Sequence, residues 1–556
     1  MSGADVESSE IRDGGSRGGA SVAPAATPLR DAPRGAQGTV RRIIVFTILF
    51  VLVCIAASGV AGLLGRLFET RPEFIESSAS LALPLAYTLI GGPLAVLLWW
   101  FQWRRLDGPD RESVAWGLYL SAALTVALIM FVTTGLAVIT DLIGGRWFPT
   151  TLGTAIAWLL VWVAHRLMWA SAHRSPLRLT TVPVVLGAAY GLAVAASGAI
   201  NALKAVFDAA VITSPWSIGV PWWQPALQAI VWTVGGTLVW VWHWHRDGTR
   251  RLSGGFADVA LVLTGVLAAA AVALGGLGTA LYVGLRAAFD RDESWHQLLS
   301  PLGLGVAAAG VGAVIWRYHR GVATERRDAT RNAARMVEAG VGLIGAASGI
   351  GVIVNALLAS FAAPLAGSDA RTLLLGGIAS LAVGAPVWWW AWRPRQAAAD
   401  AGSTGRRVYL IAVFGVSAVV AIVALLIVGY RIFEFALEGG NGGVVERIRA
   451  PFGLLLATAL VAAYHFAVWR RDREAVPAAP TRTLARVVLV AGGDGTPTVQ
   501  AVRDATGASV TVWGRADGAA APDPQAVTAA LAAVEWPRVL VIPAADGTVQ
   551  VIPLTD

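Results

Sequence analysis

Apolar side chains fill long runs of this chain and alternate with short segments of charged and small polar residues. A bilayer core about 30 Å thick requires roughly 20 apolar residues in a helix that rises about 1.5 Å per residue. We predict a membrane-spanning helix in each of twelve runs: Ile43–Leu64, Leu81–Trp100, Val114–Thr140, Leu152–Trp169, Val182–Val206, Pro225–Trp244, Phe256–Val283, Leu298–Trp316, Val337–Leu358, Thr372–Trp392, Val408–Ile432 and Pro451–Trp469. The pattern indicates an all-α polytopic membrane protein with a small C-terminal α/β domain.

The two ends of the chain differ from this apolar region. Residues 1–42 are mostly small residues, Pro and Arg, which bury too little apolar surface to offset chain entropy, so we predict a disordered cytosolic tail. The first apolar run begins only after Arg41 and Arg42, unlike that of a cleaved signal peptide. We assign residues 43–473 to a transmembrane bundle, 474–485 to a linker and 486–556 to a small cytosolic domain.

The predicted helices recur in pairs. The second helix of most pairs begins near a proline and ends in tryptophan and a basic residue, as in Pro84 to "WWFQWRR" and Pro301 to "VIWRYHR". The motif "AASG" recurs in first helices at 56–59, 195–198 and 346–349. This spacing favours six two-helix repeats. We interpret the tryptophans as an aromatic belt at the lipid headgroups.

Composition and charge agree with a membrane location. Of 556 residues, 56% are hydrophobic and 14% are charged, whereas soluble domains carry roughly 25% charged residues. Arginine concentrates in the connections that follow the second, fourth, sixth, eighth and tenth helices, which predicts that these connections and both termini are cytoplasmic. The net charge of +8 is spread over short connections, so we expect the lipid bilayer as a partner and no nucleic acid.

A few polar residues within the apolar runs are candidates for function, because an ionisable group at membrane depth is costly. Asn201, Lys204 and Asp208 lie three and four residues apart, on one face of a helix, so Lys204 and Asp208 are placed to form an ion pair. They either line a solute or proton path or extend to the membrane surface. Asn355 lies in the similar heptapeptide "NALLASF" and is a candidate for a hydrogen bond between helices.

Histidines recur near the cytoplasmic ends of even-numbered helices: His165, His243, His245, His319 and His465. Their placement resembles histidine ligation of haem or metal between helices. Duplication of one unit explains the recurrence with fewer assumptions, since no local spacing brings several histidines together. The single cysteine, Cys54, excludes an intrachain disulfide and a cysteine metal cluster. We therefore expect no metal site and no cofactor.

The C-terminal segment changes from apolar runs to alternating short elements. We predict strand Val487–Val490, helix Pro497–Ala505, strand Ser509–Trp513, helix Pro524–Val534 and strands Arg538–Ile542 and Thr548–Ile552. Asp546 and Gly547 favour a hairpin between the last two strands.

The first turn of this domain contains the sequence "GGDGT", which comprises Gly492, Gly493, Asp494, Gly495 and Thr496. A glycine turn before a helix presents N–H groups to phosphate, and these five residues resemble the signature of diacylglycerol kinases and NAD kinases. That resemblance implies a nucleotide-binding loop. However, those kinases have a much longer catalytic lobe, and Pro497 removes one N–H donor. We interpret the segment as a structural turn and keep phosphate binding as the alternative.

The paired helices with basic, tryptophan-rich ends, such as "VWVWHWHR" and "AVWRRDR", resemble bacterial membrane proteins classed as domain of unknown function 5671. The resemblance covers residues 40–473. It implies a membrane bundle, and it implies no activity and no site residues.

Three classes of function follow from these features. Scarcity of charge within the helices favours a non-catalytic membrane scaffold or sensor, whose C-terminal domain binds a cytosolic protein partner or forms a homo-oligomer. The alternative is a transporter or channel, since repeated units are common among transporters. A nucleotide-dependent enzyme that uses the "GGDGT" loop is a distant third.

Overall fold

The computed structural model describes residues 32–69, 79–106, 111–211, 219–289, 293–361, 370–392, 404–440, 443–475, 484–492, 495–515, 521–534, 536–544 and 548–555. Within them, twelve helices are long and apolar enough to cross a membrane: α1 (Gln37–Leu67), α2 (Leu81–Trp103), α3 (Val114–Ile143), α4 (Pro149–Ala170), α5 (Val182–Val211), α6 (Trp223–Arg246), α7 (Gly255–Phe289), α8 (Trp295–Thr324), α9 (Asp328–Ala359), α10 (Ala370–Trp392), α11 (Gly405–Leu437) and α12 (Val444–Glu474). The prediction of twelve long apolar helices is confirmed, and these helices suggest a multi-pass membrane protein.

Helix ends differ from the predicted ones mainly because polar residues continue the helices past the apolar runs. The helix that contains α1 begins at Ala32, so the last residues assigned to the N-terminal tail are helical. Residues 1–31 lie outside the described residues. The run predicted as Leu152–Trp169 extends to 22 residues in α4, which is long enough to span a bilayer.

Several helices contain wider π-helical turns. One such turn, Tyr87–Gly91, lies within α2, another, Leu261–Ala268, lies within α7, and a third, Trp242–Arg246, ends α6. The first of these turns faces α1, where a Cβ atom at Gly59 would lie 2.7 Å from the backbone nitrogen of Thr88. Close contacts of this kind require glycine, because any larger side chain would push the backbones apart.

The chain divides after Val337 into two compact units. In the first unit the helices pack in pairs, α1 with α2, α3 with α4, α5 with α6 and α7 with α8, and α1 also contacts α4 while α5 contacts α8. In the second unit, α9 packs on α10 through glycines, and α11 packs on α12. Gly453 of α12 meets the backbone of α9 at Gly351. Small residues therefore carry the helix contacts, as expected where lipid offers no hydrophobic drive for association.

The C-terminal domain is a four-stranded mixed sheet with two helices. Its elements are β1 (Arg486–Ala491), α13 (Thr496–Thr506), β2 (Ser509–Gly514), α14 (Pro524–Leu531), β3 (Arg538–Pro543) and β4 (Val549–Pro553). The strand order is β2-β1-β3-β4, with parallel pairing on both sides of β1 and antiparallel pairing of β3 with β4. The predicted order of elements is observed, although α14 ends at Leu531 instead of Val534.

The core of this domain consists of apolar side chains from both layers. Val487, Leu489, Val502, Val527 and Val539 are fully buried. The last two strands pair as predicted, whereas residues 545–547, which include the predicted turn pair Asp546 and Gly547, lie outside the described residues.

Candidate functional site

Three buried histidines, His165, His319 and His465, lie on α4, α8 and α12. In each of them Nδ1 lies 2.7–2.9 Å from the carbonyl oxygen four residues earlier, at Val161, Ile315 and Val461 respectively. A carbonyl only accepts hydrogen bonds, so Nδ1 must carry the proton that is donated. When the ring is neutral, Nε2 is therefore the free acceptor of each histidine.

The surroundings of Nε2 differ among the three histidines. The Tyr119 hydroxyl on α3 lies 2.9 Å from Nε2 of His165, which leaves the tyrosine as the donor. Tyr409 on α11 lies beside His465, with ring centroids 5.9 Å apart. Beside His319, α7 instead contributes Gly265, whose missing side chain leaves room for the ring. Two of the three histidines thus face a tyrosine of the neighbouring helix.

A tryptophan from a second helix lies beside two of these histidines, Trp244 beside His319 and Trp392 beside His465, with ring centroids 5.2 and 5.6 Å apart. The indole N–H of Trp244 donates to the Tyr318 hydroxyl, and that of Trp392 donates to the Tyr464 hydroxyl, both over 2.9 Å. Trp99 contacts the sulfur of Met168 at 3.4 Å. Trp244 and Trp392 are 5% and 3% exposed, so they belong to the protein core and not to the predicted lipid-facing belt. Trp242 and Trp389, in contrast, are exposed as that belt requires.

The other two of the five candidate histidines, His243 and His245, lie on α6. His243 is buried, bonds its Nδ1 to the Val239 carbonyl at 2.9 Å and lies 3.9 Å from the Asp247 carboxylate. Arg166 at the end of α4 donates to that carboxylate over 2.7 Å and so joins the ends of the two helices. His245 is exposed. Within the described part of the chain, no three His, Cys, Asp or Glu side chains are grouped to hold a metal ion.

The predicted polar face of α5 is present in the structure. Lys204 and Asp208 form an ion pair, and the Asn201 amide donates to the Ser197 carbonyl at 2.8 Å. Asn201 and Ser197 also line a cavity of about 480 Å³ between α5, α7 and α8, whose other walls are mainly apolar. Lys204 does not line this cavity.

Asn355 forms the interhelical hydrogen bond that its position on α9 suggests. Its side-chain oxygen accepts from Arg449 at 2.9 Å, and Arg449 also pairs with Glu446 on α12 at 2.8 Å. Arg449 was not predicted, because it lies ahead of the predicted apolar run at Pro451 and resembles an ordinary basic end. Glu338, a fully buried carboxylate on α9, was not predicted either.

The "GGDGT" segment precedes α13, as predicted. Gly495 is the residue before the helix, Thr496 begins it, and Pro497 occupies its first turn. Gly492 follows β1, whereas Gly493 and Asp494 lie outside the described residues. The strand-turn-helix placement is therefore present, and Pro497 offers no N–H to a ligand at that turn.

The model of one protein family, a domain of unknown function (DUF5671), matches the chain three times, at residues 42–164, 181–314 and 332–464. Together these matches cover well over half of the chain. The chain belongs to this family. Searches of curated proteins and of solved structures gave no match.

Each DUF5671 copy contains four of the twelve helices, so the matched unit is twice the predicted two-helix repeat. The second helix of every copy has a glycine packed against the first helix, followed eight residues later by a tryptophan: Gly91 and Trp99, Gly236 and Trp244, Gly384 and Trp392. The fourth helix of every copy carries a buried histidine, His165, His319 or His465, which lies one to five residues beyond the end of the matched segment. The buried histidines therefore recur at the end of each fourth helix, just past the matched residues.

The glycine contacts also show which of two sequence similarities, the "AASG" motif or the heptapeptides that begin at Asn201 and Asn355, aligns equivalent positions of the copies. A Cβ atom at Gly59, Gly198 or Gly349, the last residue of each "AASG", would lie under 3.0 Å from the second helix of its copy. Counted from these glycines, Lys204 and Asn355 both stand six residues later. Asn201 and Asn355, which share a similar heptapeptide, are consequently not equivalent in the structure.

Proposed function

We propose that this DUF5671 protein is a non-catalytic membrane scaffold or sensor that holds its α/β domain at the membrane. The recurring histidine clusters carry this proposal. Several of their polar atoms bond to their own helix or to an adjacent one, as in Tyr119 with His165 and Trp392 with Tyr464, whereas Nε2 of His465 and the Tyr409 hydroxyl are buried without a hydrogen-bond partner among the described residues. Polar groups that bond across helices in this way stabilise helix contacts.

We place the protein in the cytoplasmic membrane of a bacterium, with both termini in the cytosol. The concentration of arginine after even-numbered helices supports this orientation. The packing of helices in pairs, such as α5 with α6 and α7 with α8, supports an origin of each four-helix copy from two helix pairs. In this arrangement the α/β domain faces the cytosol.

The α/β domain is the part that would bind a cytosolic protein or a second copy. β2 is an edge strand of the sheet, and its residues Val512 and Trp513 are 45% and 58% exposed. An exposed edge can add a strand from another chain, with backbone hydrogen bonds supplying affinity and Trp513 supplying an apolar contact. The basic residues of the chain are dispersed, so nucleic acid is not proposed as a partner.

Site-specific photo-crosslinking in cells tests the scaffold. A photoreactive amino acid at Trp513 is expected to give a discrete crosslinked product with a protein partner or a second copy, and the same amino acid at Arg503 on α13 serves as the control position. Absence of any product from either position, combined with solute flux through the purified protein, would contradict the scaffold.

Transport is the second candidate, because the cavity of about 480 Å³ between α5, α7 and α8 is large enough for a small solute. Its apolar walls and the single amide of Asn201 suit a largely apolar molecule. Uptake into proteoliposomes would be measured for the native protein, for Ala196→Trp, which fills the cavity, and for Lys204→Ala. Uptake that is lost in Ala196→Trp would favour transport over the scaffold.

A further inference from the structure

A basic cavity of about 640 Å³ lies where α6 and α8 end. Four arginines line it: Arg250 and Arg251 from the turn after α6, and Arg326 and Arg327 from the turn after α8. The indole of Trp244 forms part of its wall. All of these residues belong to the second DUF5671 copy and its flanking turn.

Backbone contacts hold this cavity in shape. The Arg326 guanidinium donates to the carbonyl oxygens of Leu252 and Arg250, so it ties the two turns together. Thr249, at the start of a 3₁₀ turn that spans Thr249–Arg251, is buried and donates to the His243 carbonyl at 2.7 Å. Because both turns are anchored, the backbone of the four arginines within them is held in place.

The guanidinium groups of Arg250 and Arg251 are exposed. Among the contacts of the described residues, neither group has a hydrogen bond or an ion pair. Each planar guanidinium therefore keeps its donors available, in the fork geometry that matches the oxygens of a phosphate or a carboxylate.

The charges around the cavity do not balance. Glu325 is the single carboxylate in its wall. Behind the wall, Asp258 lies 3.8 Å from Arg326 and 3.5 Å from Arg327, and it also accepts from Gly254 and Thr330. Four guanidinium groups thus face two carboxylates, which leaves an excess of two positive charges.

We propose that this cavity binds a phosphate-bearing anion, as a phosphate monoester or diester. The guanidinium groups of Arg250 and Arg251 can each donate two charge-assisted hydrogen bonds to phosphate oxygens. The anion would also offset the unbalanced positive charge. The cavity is larger than a bare phosphate requires and lies in the size range of small-ligand sites, so it can hold the organic part of an ester as well.

Two sources can supply this chemistry. The cavity lies just past the apolar spans that end at Arg246 and Thr324, at the depth where lipid headgroups are found, and basic pockets between membrane helices commonly take anionic headgroups. The same opening is reachable by a soluble phosphate ester. A lipid headgroup and a soluble ester present the same phosphate group to the arginines, so the experiment must distinguish these two sources.

The test measures binding to the full-length protein in nanodiscs. In the first arm, the fraction of fluorescent phosphatidylglycerol bound is compared between the native protein and the double variant Arg250→Ala with Arg251→Ala. In the second arm, glycerol 3-phosphate is titrated into protein held in phosphatidylcholine nanodiscs. Loss of both arginines should weaken binding about tenfold or more, because it removes two sets of charge-assisted hydrogen bonds to the anion.

Matched variants isolate the cavity from general charge effects. Arg470→Ala with Arg471→Ala removes two exposed charges from α12, outside the cavity, and should bind as the native protein does. Glu325→Gln removes an opposing charge and should tighten binding. A response in the first arm alone assigns the site to lipid, and a response in the second arm assigns it to a soluble ester. Equal binding by the native protein and the Arg250 and Arg251 variant in both arms would overturn the proposal.

Discussion

The buried histidines illustrate how a polar side chain is accommodated among apolar helices. In His165, His319 and His465, the Nδ1–H group donates a hydrogen bond to a backbone carbonyl of the same helix. The second nitrogen is then an acceptor, and Tyr119 fills that role as a donor for His165. His165 is thus satisfied in two steps, first by its own helix and then by its neighbour, whereas Nε2 of His465 is buried without a hydrogen-bond partner among the described residues.

Removal of the Tyr119 hydroxyl should destabilise the bundle. Tyr119→Phe leaves Nε2 of His165 without its donor in a buried place, which should cost about 1 kcal/mol. Unfolding by SDS in mixed micelles would measure the loss. Tyr430→Phe is the control, because Tyr430 is 61% exposed and its hydroxyl lies at the surface. Equal stability of the two variants would show that the buried hydrogen bond contributes nothing.

Sequence alone predicted the histidines but not their partners. His165 and Tyr119 stand 46 residues apart, and only the packing of α3 on α4 brings them together. The same holds for Arg449 and Asn355, which are 94 residues apart on α12 and α9. The ion pair of Lys204 with Asp208 was predictable, because a single helix turn sets its geometry.

At the scale of the helix, glycine positions determine how closely two spans approach. Gly236 and Gly384 hold equivalent places on α6 and α10, and each faces the backbone of the preceding helix at Ala195 or Ala346. The apolar runs predicted the helices well because a bilayer fixes the number of residues that a span requires. They could not predict helix register, because Ala and Gly are abundant throughout the chain.

A methyl group at Gly384 should separate α10 from α9. In Gly384→Ala the new Cβ atom would lie 2.6 Å from the carbonyl carbon of Gly345 and 2.7 Å from the oxygen of Gly342, so the helices must shift. Overpacking of this kind costs about 1–3 kcal/mol. Gly415→Ala on α11 is the matched control, since no atom lies within 4 Å of its Cβ position. The midpoint temperature of thermal unfolding in detergent should fall for Gly384→Ala, and it should stay level or rise for Gly415→Ala.

At the scale of the whole molecule, three family copies in tandem account for the twelve helices. Apolar length predicted the number of helices, and the "AASG" echoes reflected true repetition. Because Pro and Trp recur in both helix pairs of a copy, the sequence pattern indicated the two-helix spacing and did not reveal the four-helix unit that the family model matches. The α/β domain was predicted nearly to the residue, since each of its turns carries its own local signal.

Orientation across the membrane is a further prediction at this scale. In a Cys54→Ser background, Glu438→Cys lies between α11 and α12, and Gly321→Cys lies at the end of α8. A membrane-impermeant maleimide added to intact cells should label the cysteine at 438 and should not label the cysteine at 321. Lysed cells provide the control, in which both positions should react. The reverse pattern in intact cells would invert the proposed topology.

Two ion pairs within the spans also bear on how the helices that carry them respond to membrane potential. Lys204 with Asp208 on α5 and Arg449 with Glu446 on α12 each place opposite charges within one helical turn, at nearly the same depth. A voltage acts on net charge, by about 2.3 kcal/mol per elementary charge for 100 mV across the full membrane. The forces on the two members of a pair are opposed and almost cancel. Depolarisation of the cell should therefore leave both pairs, and the helices that carry them, where they are.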